Sequence, residues 1–485
     1  MNRVIYNTFM EPWHIAFTSL WLIPAFSFIW LISPENPTMQ EAELWSTVGM
    51  IGTLAYLFIT SIAVHRTIVH TYVFFIACIS LFIGGRFIAY AMGFDLSILE
   101  MESNFFSVQR PDFVTIELTE NEALRLTLYI VTCLLAIHAG YMFSIWKSTN
   151  KTEHLIDPKW TKTLQIPAII LATLSTAAFL LSFPEAHRIV QSSGYTSLYT
   201  SASTDFTMRG STAAQYGLLL ALGLAFASRT KWLGWCVLGL LAIYYAANLK
   251  LGIRGGIMGF SLLCVWLFHV KIKRIDRIAL VGIPIVLASI LMLAALGPRN
   301  PYFGENTAVF LPWFIDNQGL TALYIHAATQ VESYPTLAYL HSVFPATPTI
   351  ATFFGMNVPL DQLYFGQFLS KALLSGDAYQ KGFGMGWSLF SDFYAYTLWI
   401  PGMYLIAAAG FGVVLSRLVN SRNPLVFGAH VMIFVKVMLL PRTGLYSVVP
   451  FLIAYAAIVG ACYLLNRVSQ RNMLTVKKRN SETRS

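Results

Sequence analysis

The stretch Leu251-Gly252-Ile253-Arg254-Gly255-Gly256 sets a glycine-flanked arginine between two long apolar runs. An arginine at bilayer depth costs roughly 2.5–3.5 kcal/mol on insertion scales, so it faces protein or water and often carries function. Flanking glycines let the chain turn tightly and let a ligand approach the backbone. A guanidinium grips phosphate through two parallel hydrogen bonds. Arg254 therefore suits a phosphate-bearing substrate held in a membrane.

Further cations fall at the same depth in a topology set out below. Arg86, in Gly84-Gly85-Arg86, lies near the end of one apolar run. Lys250 stands with Arg254 at the turn between two others. Lys436 and Arg442, in Lys436-Val-Met-Leu-Leu-Pro-Arg442-Thr-Gly444, close another. Arg209, in Thr207-Met-Arg209-Gly210-Ser211, opens a further run from the same side. The plain alternative is snorkelling, in which long basic side chains simply reach for the interface. Glycine neighbours at Arg86 and Arg254 argue instead for close approach by another group.

Carboxylates are scarcer. Asp392, in Trp387-Ser-Leu-Phe-Ser391-Asp392-Phe-Tyr394, lies on an aromatic stretch just before an apolar run. It either caps a helix start, as Ser391 could also do, or serves as a site group. His187, His326 and His341 share its side of the membrane. His326 is the best placed as a proton acceptor, because it lies on a helix-like piece; the alternative is a hydrogen-bonded structural histidine. No Asp-x-Asp pair faces this side, and no phosphate-loop, zinc-protease or serine-hydrolase motif occurs. The expected chemistry uses no metal and no cofactor, only cations that stabilise a leaving group and a base.

The elements that hold these residues follow from hydropathy. Of 485 residues, 56% are hydrophobic and 11% charged, with mean hydropathy +0.61. Apolar runs of about 20 residues recur along nearly the whole length, as in helical membrane proteins. Twelve spans are expected, at 12–33, 44–64, 69–92, 122–146, 164–184, 211–227, 231–249, 256–270, 278–297, 399–417, 424–440 and 447–466. The net charge of +9 reads as membrane orientation, and nucleic acid is not expected as a partner. Lysine and arginine concentrate in 147–163, 228–231, 271–277, 417–423 and the tail, which places both termini in the cytoplasm. Arg86, Arg125 and Lys436 fall within spans. The cysteines, Cys78, Cys133, Cys236, Cys264 and Cys462, all lie in apolar runs and have no metal-ligand spacing.

The expectation is thus an all-α polytopic membrane protein with spans 1–9 over 1–297, a large helical periplasmic loop over 298–398, spans 10–12 over 399–466, and a basic cytoplasmic tail over 467–485. The loop is rich in aromatic residues, among them Trp313, Tyr324, Tyr334, Tyr339, Phe353, Phe354, Tyr364 and Phe365. It either lies against the bilayer surface or forms a lid offering ring faces to sugars.

Two stretches resemble the Wzy-type oligosaccharide repeat-unit polymerases, which build O-antigen and capsule in bacteria. One is Gly252-Ile-Arg254-Gly-Gly256. The other is Gly382-Phe-Gly384-Met-Gly386 leading to Ser391-Asp392-Phe-Tyr394 and then Pro401-Gly402. The twelve-span layout and large late loop also match; the acid is Asp392 where the family often has glutamate. The resemblance implies a fold like the C-class membrane glycosyltransferases and a metal-independent reaction on the periplasmic face of the inner membrane. The donor would be glycan on undecaprenyl diphosphate, transferred to a new lipid-linked repeat unit, and a chain-length regulator would be a partner. Arg254, Arg442, Arg86, Lys250, Lys436 and Arg209 would then bind the diphosphate, with Asp392 or His326 as base. The alternatives are an O-antigen ligase and a lipid-linked oligosaccharide flippase or other transporter. Against transport stand the absence of half-to-half repetition and the outer, rather than midplane, depth of the charge.

Overall fold

The computed structural model describes residues 11–31, 36–99, 102–110, 114–148, 158–193, 204–252, 255–276, 310–344, 347, 351, 353–355, 358–374, 379, 386–397, 400 and 402–482. Arg254 and Gly382–Gly384 lie outside the described residues, as does the expected span 278–297. Among the described residues, eight helices are long and apolar enough to cross a membrane. They are Met39–His65, Glu120–Lys147, Lys162–Ser192, Gly210–Ala227, Lys231–Lys250, Met403–Asn420, Pro424–Arg442 and Leu445–Gln470. A ninth is a bent pair, Thr71–Phe82 and Gly85–Ala91, which turns by 69° at its break. The expected spans 12–33 and 256–270 are present as helices Pro12–Leu31 and Gly255–Lys271. The chain is an α-helical polytopic membrane protein.

The described residues divide into two units. The first comprises Met1–Lys151, Gly252–Asn420 and Val435–Ser447; the second comprises Thr152–Leu251, Ser421–Phe434 and Val448–Ser485.

The first unit is built around the helix Glu120–Ser148, which packs against Met403–Asn420, Pro12–Leu31 and Met39–His65. Its start is fixed locally. The Thr119 backbone amide and hydroxyl both donate to the Glu122 carboxylate, at 2.9 and 2.8 Å, and the Glu122 amide returns a bond to Thr119 Oγ1. This reciprocal cap satisfies helix donors that would otherwise be orphaned. Further along, Gly140 lies on the Ala409 carbonyl and Gly412 on that of Ile137, leaving no room for a Cβ on either. Small residues let membrane helices approach this closely and gain dispersion energy. A polar link joins this helix to Met39–His65 and Thr71–Phe82: the His138 ring nitrogens meet Thr60 Oγ1 at 2.9 Å and the Tyr72 hydroxyl at 3.0 Å.

The unit also contains a two-stranded antiparallel hairpin, Ser107–Arg110 with Val114–Glu117, which the all-helical expectation did not include. Short helices follow: Phe310–Gly319, Thr321–Thr329, Thr336–Val343, Phe365–Leu373 and Leu389–Ala395. Many of the loop aromatics hold these pieces together. Trp387 stacks on Phe365 at 5.3 Å and meets Tyr334 edge-on at 5.5 Å, and Tyr339 joins Phe365 at 4.9 Å. Phe353 and Phe354 remain exposed.

In the second unit, Gln165–Ser193 runs along Thr204–Ala227, which in turn packs on Lys231–Lys250. The Tyr244 hydroxyl donates to the Ser211 carbonyl at 3.1 Å, tying the last two together.

Candidate active site

A cavity of about 520 Å³ opens in the first unit, inside the range of about 300–1,000 Å³ usual for small-ligand pockets. Three elements line it. Glu122, Arg125, Leu126 and Tyr129 come from the start of the Glu120–Ser148 helix, where spacings of three and four residues put them on one stripe. His326, Thr329 and Gln330 come from Thr321–Thr329 and its C-terminal cap. Tyr394, Thr397, Ile400, Gly402 and Tyr404 complete the wall.

The chemistry on this wall is mixed. His326 Nε2 stands 3.9 Å from Glu122 Oε1, too long for a direct hydrogen bond but close enough for electrostatic coupling. Burial lowers the His326 pKa and the Glu122 charge opposes that shift, so the imidazole is neutral near pH 7. A neutral imidazole can accept a proton. The same Glu122 caps its own helix, which fixes the carboxylate beside the histidine. Arg125 is exposed on the cavity, one turn along. The Tyr129 and Tyr404 rings lie 4.9 Å apart, and Tyr394 meets Tyr129 edge-on at 6.5 Å. The Tyr129 hydroxyl is fixed by donation to the Phe390 carbonyl at 2.7 Å. Ring faces with polar tips suit a ligand such as a sugar, which carries both apolar and hydroxyl surfaces. Among the described residues, no group of three His, Cys, Asp or Glu side chains could hold a metal.

The residues singled out by sequence have different fates. Among those that are described, only His326 lines this cavity. Arg86 is 2% exposed, and its guanidinium is held inside the protein. Its guanidinium pairs with Glu102 and with Asp316 at 3.1 Å, and also donates to the carbonyls of Phe105 and Ser107. The glycine beside it answers to protein packing: a Cβ on Gly85 would meet the Ile315 carbonyl and Gly319. The close approach inferred there is made by the helix Phe310–Gly319 of the same chain. With two carboxylates against it, Arg86 has neither spare charge nor open space for phosphate.

Arg442 is exposed. It ends the short 3₁₀ turn Leu440–Arg442, donates to Gln318 Oε1 at 3.0 Å and stands over the Phe82 ring at 5.9 Å. Arg86 and Arg442 thus reach one short helix at Asp316 and Gln318. Gly386, the described glycine of the second motif, faces both sides of this region. A Cβ there would lie 3.5 Å from the Tyr324 ring and 3.9 Å from the Arg442 carbonyl. Lys436 is half-buried on Pro424–Leu439, and Lys250 is exposed at the end of its helix in the second unit. The side chain of Arg209 lies outside the described residues.

Asp392 is 1% exposed and does not line the cavity. One carboxylate oxygen accepts from Trp387 Nε1 at 2.7 Å and the other from the Leu445 backbone amide. Burial raises its pKa to about 7 against the lowering by these two donors. The helix cap is neither Asp392 nor Ser391 but Ser388, whose side chain accepts from the Phe390 amide at 3.2 Å. Sequence reasoning assigned no task to Glu122, Arg125, Tyr129, Tyr394 or Tyr404. The signal for the first three was present, as polar residues three and four apart at the end of an apolar run.

The fold and this wall define a multi-pass membrane protein with a cavity of small-ligand size, lined by tyrosine rings and a few polar side chains. The family model for the O-antigen polysaccharide polymerase Wzy matches residues 15–472, nearly the whole chain, and the chain belongs to that family. It is a glycosyltransferase-type polymerase of polysaccharide biosynthesis acting on lipid-linked oligosaccharide repeat units in the membrane. No curated protein and no solved structure matches it.

Proposed function

We propose that the chain transfers a growing glycan from undecaprenyl diphosphate to the terminal sugar of a new lipid-linked repeat unit, on the periplasmic face of the inner membrane. The acceptor hydroxyl oxygen bonds to the donor anomeric carbon as the carbon–oxygen bond to diphosphate breaks. The proton passes to His326, and undecaprenyl diphosphate leaves as an anion. Arg442, with Arg254 and Lys436, supplies the positive charge that stabilises this leaving group. Arg86 contributes at a distance, by holding the helix that carries Gln318. Twelve spans with both termini cytoplasmic, no metal, and a chain-length regulator as protein partner belong to the same reading.

The single observation that carries the reading is the cavity in which a neutral histidine, a paired carboxylate, an exposed guanidinium and three tyrosine rings face one space. The positive-inside distribution of charge supports a periplasmic position for the start of the Glu120–Ser148 helix and for this cavity. Deleting the gene tests the reaction. A polymerase leaves single repeat units capping lipid A core; complete absence of caps would instead indicate a ligase or flippase.

A further inference from the structure

Asp392 is a deeply buried acid two residues from Tyr394 of the cavity wall, and both of its oxygens face protein donors rather than open space. Those donors belong to separate stretches. Trp387 precedes the helix Leu389–Ala395, whereas Leu445 follows Arg442 by three residues. The turn between Arg442 and Leu445 is closed tightly on itself. Thr443 Oγ1 donates to the Leu439 carbonyl at 3.1 Å, and Ser447 Oγ donates to the Gly444 carbonyl at 2.7 Å. Gly444 sits at φ +123°, where a side chain would be strained; a Cβ there would also lie 2.6 Å from Trp387 Cδ1 and 2.7 Å from Asp392 Oδ2. Trp387 is itself clamped between Phe365 and Tyr334. The aromatic core therefore reaches the Arg442 turn through the Asp392 carboxylate, beside the Trp387–Gly444 packing and an edge-on contact of Tyr364 with Tyr446 at 5.9 Å.

We infer that Asp392 is a positioning residue for Arg442: its carboxylate ties the Trp387 segment to the Gly444–Leu445 turn and so fixes where the Arg442 guanidinium stands for a phosphate-bearing substrate. Asp392 does not exchange a proton with substrate. The substrate half of this inference rests on the function proposed above; the structural half does not. A mispositioned guanidinium weakens binding of the lipid diphosphate, while the proton acceptor in the cavity is untouched.

The test uses the full chain in detergent, with Asp392→Asn and Trp387→Phe variants. Asparagine presents one acceptor and one donor to a site with two donors, so one of the two bonds must fail. Hydrogen exchange at the Leu445 amide is read first, because it needs no activity. It should quicken in Asp392→Asn. The KM for the lipid-linked repeat unit that accumulates in cells lacking the chain should rise about tenfold, the size of a lost hydrogen bond to a charged group. kcat should fall by no more than about threefold, because the displaced Arg442 keeps its charge near the leaving group, and Trp387→Phe should move KM the same way by less. Unchanged exchange in Asp392→Asn overturns the brace even if no turnover is measurable. A kcat fall of about a hundredfold or more with KM unchanged overturns it in favour of a general base. If the unaltered chain turns nothing over while exchange responds as expected, the brace stands and the proposed function fails.

Discussion

Two charged clusters in the first unit each combine an arginine with a glutamate and have opposite character. Around Arg86, a guanidinium and two carboxylates are sealed from solvent and pair with one another between the bent helix, the hairpin and Phe310–Gly319. Around His326, a guanidinium, a carboxylate and an imidazole stand apart on the wall of an open cavity. The first holds segments in place. The second has groups at a separation that a ligand could bridge. Residue type and depth along a span do not distinguish the two; partners and solvent do.

Breaking the sealed cluster should have the greatest consequence for stability. Arg86→Met leaves the Glu102 and Asp316 carboxylates buried without their cation, which costs about 3–5 kcal/mol in comparable buried pairs. The expected result is loss of folded protein, read as a fall in membrane-extracted monodisperse protein and in Tm. A stable Arg86→Met chain lacking only activity would move Arg86 into the site. Arg442→Lys should be milder. It keeps the charge but loses the planar fork, so KM should rise by about tenfold with the fold intact; full activity would rule out two-point recognition of phosphate there.

The smallest effect expected is also the most diagnostic of the open cluster. Glu122→Gln keeps the helix cap, because glutamine serves at that position as glutamate does. It removes the negative charge that raises the His326 pKa. The imidazole then protonates only at lower pH, and the acid limb of kcat/KM moves toward acid. Movement toward neutral, or none, would show that His326 does not feel Glu122.

Much of the architecture was readable from the sequence. Apolar runs announced the spans, and the glycine and Asp-aromatic stretches pointed to the family that the match over 15–472 shows. The site was readable only in part. Arg86 looked like a ligand because its partners, Glu102 and Asp316, are 16 and 230 residues away and invisible to local pattern. The partners of Asp392 were hidden for the same reason: Leu445 lies 53 residues on. The cavity joins residues near 122, 326, 394 and 404, so no single window contains it. Arg125 was hidden differently. Within a span it reads as one more snorkelling cation until Glu122 and Tyr129 are seen on the same stripe.

The most direct test of the proposed site is the length of glycan made by purified chain in proteoliposomes supplied with the lipid-linked repeat unit, comparing His326→Gln with the unaltered protein at equal folded amounts. Removing the proton acceptor should slow elongation by about 10²–10⁴-fold and leave single units in place of a ladder. A His326→Gln ladder of normal lengths and rate would contradict the assignment of the sugar-transfer step to this cavity.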